Sequence, residues 1–440
     1  MAPPRPLRLL IVTLSLATVA GSSLLAAPSA GASGARHDRL VEGPASRGPA
    51  LAGGESGTGM PAPPSVIPPS AERRAAARPR VRWSDVGGGY WARNAIDYVG
   101  ATHGWMRDYP AGNRGRYQFH PGKIESRKLF FRAAVEAFAP NARVDHGLRF
   151  SDLPAKAPFY RYANIAVGLG WVDRGANRSI NPDKAVTMST VHHVLVFALG
   201  LKQAASGLNR IHMSNGTRFH TWKNFGTTVI GMRIGLRYNH STESMDVNPN
   251  SPMPRSEVAW SLYRAKTVAS YTLDSMKAYE HITLPNMNKA KRKIVEWGIR
   301  YAGYPYVWGG EWPKATSGGY CCGAQPTGGF DCSGLTWWLI KAQAGTWDPT
   351  PPRPYRGWSL PQRASADMAR YGHRISWHKK QAGDLLFYDG DGNGSVDHVD
   401  TYIGNGWALD SSSSAGGVTI MWVGTGWYHD HFKHARRIVN

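Results

Sequence analysis

The chain has 440 residues and a formal net charge of +22, long enough for two or three domains. Three cysteines exclude a disulfide-built scaffold, and three is odd, so at least one thiol is left over. The basic excess calls for an anionic partner, and the N-terminus bears on which anion.

Arg5 and Arg8 precede the apolar stretch LLIVTLSLATVAGSSLLAA, which runs into the small-residue segment PSAGASGA. That order reads as a secretory signal over residues 1–32, cleaved after Ala32. An uncleaved anchor is the alternative, since the run is nearly long enough to span a bilayer, but Gly21, Ser22 and Ser23 interrupt it. Export argues against nucleic acid and for anionic wall polymer. No later segment is long and apolar enough to cross a bilayer, so no stable membrane insertion is expected after cleavage. Residues 33–80 are rich in Ala, Pro, Gly and Ser. They cannot bury enough surface to offset ordering entropy and read as a disordered spacer.

From Trp83 the chain repeats loosely. WSDVGGGYWARNAIDYV begins at Trp83, and FSDLPAKAPFYRYANIAVGLGWV begins 67 residues later at Phe150. Proline-bearing anchors at Pro121, Pro182 and Pro249 each read as a loop feeding a helix, with Ser126, Ser189 or Ser256 near its start. Units of this size suggest stacked or trimerised helical modules that complete one another's cores. Over residues 81–268 these motifs resemble S-layer homology modules, the third lacking a clear opening. The resemblance implies a mostly helical trefoil whose grooves bind anionic secondary wall polysaccharide. Arg127 and Arg255 match the family's ligand-binding arginine, while the second module has Met188 there; as spacing alone has it, both arginines are ordinary solvated helix residues. Residues 269–286 read as a connector.

Residues 287–440 have another grammar: helix, loop, helix, then alternating strands. After GGFDC, residues Leu335, Trp338, Leu339 and Ala342 form the buried stripe of a helix ending at Gly345. Cys332 lies in its first turn, where the helix dipole and free backbone N–H groups favour thiolate. A small buried apolar residue is the plainer reading of a lone cysteine. Activation of the thiol needs a base oriented by a third group. In HVDTYIGNGWALD, alternation puts His398, Asp400 and Tyr402 on one face. Asp410 joins that face only if Gly404, Asn405 and Gly406 form a three-residue loop, with Gly406 left-handed.

The series YPYVWGG, FDCSGL, LPQRAS, AGDLLFY and DHVDTYIGNGWALD resembles NlpC-type cell-wall peptidases. That implies an α+β papain-like domain with an antiparallel sheet, cutting peptidoglycan stem peptides at D-γ-glutamyl to diaminopimelate bonds. Cys332 matches the nucleophile, His398 the base and Asp410 the third residue. Tyr306, Asp331 and Ser333 match substrate contacts, the last two at the peptide's amino end. The insertion EWPKATSGGYCCGAQPTGG departs from the family and carries Cys321 and Cys322, expected as thiols rather than a disulfide. No cofactor is expected, except that Asp389, Asp391, Asn393, Gly394 and Asp400 hold EF-hand-like calcium positions; the same residues suit a hairpin turn. His429, His431 and His434 read as a solvated strand end. The sequence thus implies a secreted, wall-associated hydrolase; a non-catalytic wall binder and a transferase on the same triad are the other readings.

Overall fold

The computed structural model describes residues 81–112, 115–341 and 360–439. The expected signal and spacer, and the end of the helix after Cys332, lie outside the described residues. Among those described, no helix is long and apolar enough to cross a membrane.

The N-terminal part is helical: α1 (Arg127–Phe138), α2 (Met188–Ala198), α3 (Phe225–Arg233) and α4 (Arg255–Thr267) are its main elements. The three proline-bearing anchors lead into α1, α2 and α4 and close a ring of backbone hydrogen bonds. Glu125 N–H donates to the Met253 carbonyl (2.9 Å), Met253 N–H to Val186 (2.9 Å), and Val186 N–H to Glu125 (3.0 Å). Each anchor thereby satisfies backbone groups that no helix end could satisfy alone. Phe130, Phe131, Val191, Leu195, Val258 and Leu262 point from these helices into the core.

The C-terminal part opens with α5 (Lys289–Tyr301), which Asn288 caps through its side chain, and α6 (Cys332–Lys341). A six-stranded antiparallel sheet follows: β1 (His373–Ile375), β2 (Leu385–Tyr388), β3 (His398–Gly404), β4 (Trp407–Ser412), β5 (Gly417–Trp422) and β6 (Phe432–Arg437), in spatial order β1-β6-β2-β3-β4-β5. Val399, Ile403, Leu409 and Ile420 join the main core with α5 and α6. Tyr388, Tyr402, Ala408 and Met421 form a second cluster.

Residues 269–286 do not behave as the expected connector. They form the helix Ser270–Met276 and a strand, Thr283–Leu284, parallel to His212–Met213. Tyr279 is fully buried and donates its hydroxyl to the Ile420 carbonyl of β5 at 2.6 Å. One apolar cluster runs from Val81 to Val439, with α3 packed against β5. The helical part and the sheet bury apolar surface together, since α3 packs against β5 and Tyr279 is anchored on the Ile420 carbonyl.

Candidate active site

Asp331 starts α6. Its carbonyl accepts Leu335 N–H (3.0 Å), and its Oδ1 accepts Gly334 N–H (2.5 Å) and the Ser333 hydroxyl (3.1 Å). Capping of this kind satisfies donors that have no partner within the helix. Cys332 is therefore the first helical residue, 9% exposed. Gly334 has no alternative, since the Gly310 carbonyl occupies the place of a side chain. Thr336, one turn on, meets Thr401 of β3 at 3.4 Å and docks the helix on the sheet.

His398 opens β3. Thr401 pairs with Leu409 and Tyr402 with Ala408, the register that sets Asp400 opposite Asp410. Gly404, Asn405 and Gly406 have φ of 108°, 50° and 83°, so this turn needs the left-handed freedom its glycines supply. His398 Nε2 lies 2.9 Å from Asp410 Oδ1 and 3.2 Å from Asp400 Oδ1. The three side chains converge within 4.8 Å. Ser412 donates its hydroxyl to Asp410 Oδ2 at 2.8 Å and fixes the carboxylate plane.

The electrostatics follow from burial. Both carboxylates are fully buried. Loss of water and the adjacent Asp410 charge push Asp400 up to about 7, so Asp400 keeps its proton below about that pH. Burial alone would lower His398; the charges of Asp400 and Cys332 and hydrogen bonds to both carboxylates outweigh it and raise the imidazole well above its ordinary value. With Nε2 facing the carboxylates, Nδ1 is the nitrogen left for the sulfur. The Tyr306 phenol is raised by burial and by the charges of Cys332 and Asp331, which keeps it neutral beside the thiol.

Two contributors escaped sequence reasoning. Alternation puts Asp400 on the His398 face, but the sequence assigns it only a calcium position and not a part in holding the imidazole. Arg363, in the LPQRAS motif, is buried and ties the site together. Its Nε donates to Glu311 (2.7 Å), its Nη1 to Ser333 (2.7 Å) and Asp331 (3.0 Å), and its Nη2 to the Gly310 carbonyl (3.0 Å) and Asp331 Oδ2 (3.2 Å). Nothing local in LPQRAS marks it; once buried, a guanidinium survives only with its donors saturated, and here distant residues saturate them. Asp331 and Ser333, expected at the peptide's amino end, are thus engaged by Arg363.

Other expectations need correction. Arg255 is no groove residue. It is fully buried, with its donors on Glu125 (2.6 Å), the Phe119 carbonyl (2.8 Å), the Met106 carbonyl (3.1 Å) and Asp108 (2.6 Å). Arg127 is half-buried; its Nε donates to the Ile180 carbonyl (2.8 Å) and its guanidinium lies over Phe131. Of the calcium positions, Asp400 turns to His398, while Asp389 accepts Gly394 N–H (2.9 Å) and the Lys433 ammonium (3.0 Å). Cys321 and Cys322 are exposed and joined as a disulfide, leaving Cys332 as the free thiol. His429 is exposed beside Asp430, but His431 and His434 are half-buried on the carbonyls of Trp427 and Ala369 rather than at a solvated strand end.

Residues 303–437 match the NlpC/P60 family, and the C-terminal part is a domain of that type. The peptidoglycan endopeptidase RipB of Mycobacterium tuberculosis is 40% identical over 133 residues, which is 29% of this chain and 48% of RipB. The bifunctional muramidase/DL-endopeptidase CwlT of Bacillus subtilis is 31% identical over 146 residues, 33% of this chain and 36% of CwlT. The chain thus spans about half or less of these relatives. Among solved structures, an NlpC/P60 family protein from Bacillus cereus aligns at 28% identity and TM-score 0.27, covering 36% of this chain and 42% of its own. RipB aligns at 32% identity and TM-score 0.24, covering 37% and 77%.

Proposed function

We propose that the protein is an exported cysteine peptidase that hydrolyses amide bonds in peptidoglycan stem peptides, D-γ-glutamyl to diaminopimelate bonds being the expected target. The observation that carries this reading is the His398 imidazole, held through Nε2 by buried carboxylates and felt electrostatically by Cys332 at a helix start. An imidazolium held by carboxylate supports a thiolate partner. The sulfur attacks the amide carbonyl carbon, and the backbone N–H groups of Cys332 and Ser333 face the oxyanion. His398 gives its proton to the departing amine, leaving a thioester. It then takes a proton from water, whose oxygen displaces the sulfur and releases the carboxylate. Cys332→Ala should abolish release of soluble peptide from purified peptidoglycan, with the thermal midpoint retained. Unchanged release would reject the mechanism and leave the non-catalytic wall binder.

The helical part serves as a wall anchor in this reading, and residues 1–32 direct export. The ring of three anchors and the overall charge of +22 support an S-layer-homology-like binder of anionic wall polysaccharide. Arg127 remains the groove candidate. Because the two parts share a core, the test uses the full chain: the Cys332→Ala protein should sediment with walls and lose binding when their polymer is chemically stripped. Equal binding to stripped walls would remove the anchor.

A further inference from the structure

Arg237 follows α3 and belongs to the helical part, yet its side chain reaches the sheet. The residue is buried, and its guanidinium gives each nitrogen a different partner. Nη2 pairs with Asp246 at 2.8 Å, Nε donates to the Val247 carbonyl (3.1 Å), and Nη1 donates to the Gly416 carbonyl. Asp246 and Val247 are residues of the helical part, whereas Gly416 lies in the turn between β4 and β5. A buried ion pair seldom adds net stability over apolar residues of similar volume. What an apolar pair could not reproduce is the donor on Gly416.

Two arms of the reaction centre meet at Gly416. On one side its carbonyl also accepts Tyr306 N–H (3.1 Å), and Tyr306 carries the phenol on which the Cys332 charge acts. The same segment holds the chain just ahead of the thiol: Phe330 N–H donates to the Pro305 carbonyl (3.0 Å), and Val307 N–H donates to the Phe330 carbonyl (3.3 Å). On the other side the turn carries Ser412. Gly416 N–H donates to the Ser413 carbonyl (3.1 Å) and Ala415 N–H to Ser412 Oγ (3.3 Å). The Ser412 hydroxyl in turn donates to the Asp410 carboxylate that holds His398.

Further contacts from the helical part grip the Tyr306 segment. Glu243 accepts Trp308 N–H at 2.5 Å, two residues beyond Tyr306. Three residues before it, Gly303 lies so close to Thr228 and Pro249 that a side chain there would collide with both. The helical part therefore holds Tyr306 from both directions along the chain.

Resting on the peptidase reading, we infer that Arg237 is a positioning residue of the reaction centre. By holding Gly416 it keeps the Ser412 hydroxyl on the Asp410 carboxylate and Tyr306 beside the sulfur, so turnover on the sheet depends on a residue of the helical part. Reacting groups displaced by about an ångström lose rate steeply, even when the cause lies far from the chemistry.

The test uses the full chain and a defined stem peptide. Ser412→Ala removes one hydrogen bond to the carboxylate and should lower kcat about fivefold. Arg237→Met should lower kcat by about as much, with KM held within about twofold. Because both act on the same hydroxyl, adding Ser412→Ala to Arg237→Met should cost less than about twofold more. Arg237→Met leaves Asp246 buried without its partner, so Arg237→Met/Asp246→Asn, which strands no charge, repeats the comparison in a chain expected to fold. Trp222→Phe removes another tie between the two parts, the indole bond to the Ile299 carbonyl (2.9 Å), and should lower the melting midpoint without changing kcat. The inference is overturned if the folded Arg237 variants keep the parental kcat, if their loss multiplies with that of Ser412→Ala, if it falls on KM alone, or if Trp222→Phe slows turnover equally. Alkylation of Cys332 by iodoacetamide reads the same network without substrate. Its pH midpoint should rise in Arg237→Met/Asp246→Asn and in Ser412→Ala, and no further when they are combined, since a loosened carboxylate supports the imidazolium less. No rise in the Arg237 variant, or an additive one, also overturns the inference. Should the unsubstituted protein release no peptide, the peptidase reading fails, and the alkylation cycle still decides the role of Arg237.

Discussion

Replacing Asp410 by Asn tests the carboxylate pair most directly, because the structure supplies its understudy. Taking an effective dielectric near 20, an imidazolium and a carboxylate at 2.9 Å attract by about 6 kcal/mol, and at 3.2 Å by about 5 kcal/mol. Asp400 stays protonated largely through burial and the Asp410 charge. Remove that charge and Asp400 ionises in its place. Asp410→Asn then loses only the difference in attraction and the Ser412 hydrogen bond, together about 2 kcal/mol, or roughly thirtyfold in kcat/KM. Asp400→Asn leaves Asp410 in place and should cost less than about fivefold. The double substitution leaves the imidazolium without a counter-charge, a loss of about 5 kcal/mol or several thousandfold. The excess over the two single effects, about 2 kcal/mol, is the coupling a double-mutant cycle reads. The assay is peptide release from a defined stem peptide by chromatography, with thermal melts to verify folding. A double variant no slower than Asp410→Asn, or a folded Asp410→Asn already slowed several thousandfold, would refute the shared-charge account.

Two further outcomes are expected. The folded chain holds a proton on Asp400 up to about 7, while the unfolded chain releases it in the ordinary carboxylate range. That proton's contribution to stability is full in acid and is lost as pH rises toward 7, so denaturant midpoints should show a smaller fall between about pH 5 and 7.5 in Asp400→Asn than in the parent. Arg363→Met strands two carboxylates, Glu311 and Asp331, in a buried setting. It should lower stability by about 3–5 kcal/mol, with Arg363→Lys recovering only part because an ammonium cannot fork to both; an unchanged melting midpoint would contradict this.

Much of the candidate site's local placement was legible from residue order. The apolar stripe after Cys332 announced a helix, and period-two alternation put His398 and Asp400 on one face. The hairpin parity left two choices, and three residues able to adopt positive φ at positions 404–406 selected the one observed. Arg363 was not legible, because its partners Glu311, Asp331 and Ser333 lie tens of residues away and no local period connects them. Arg255 misled for the converse reason: an arginine at a helix start looks the same whether it faces water or Glu125 and Asp108.

By itself the sequence determined a thiol at a helix start, an imidazole opening a strand, and three proline-bearing anchors ahead of helices, since each is set by spacing along a few residues. Only the tertiary structure decided that the helical part and the sheet share one core, that two carboxylates rather than one hold His398, and that Arg363 saturates Asp331 and Ser333. These depend on which distant surfaces exclude water together. Burial raises the cost of an unpaired charge from negligible to several kcal/mol, and burial is a property of the assembled chain.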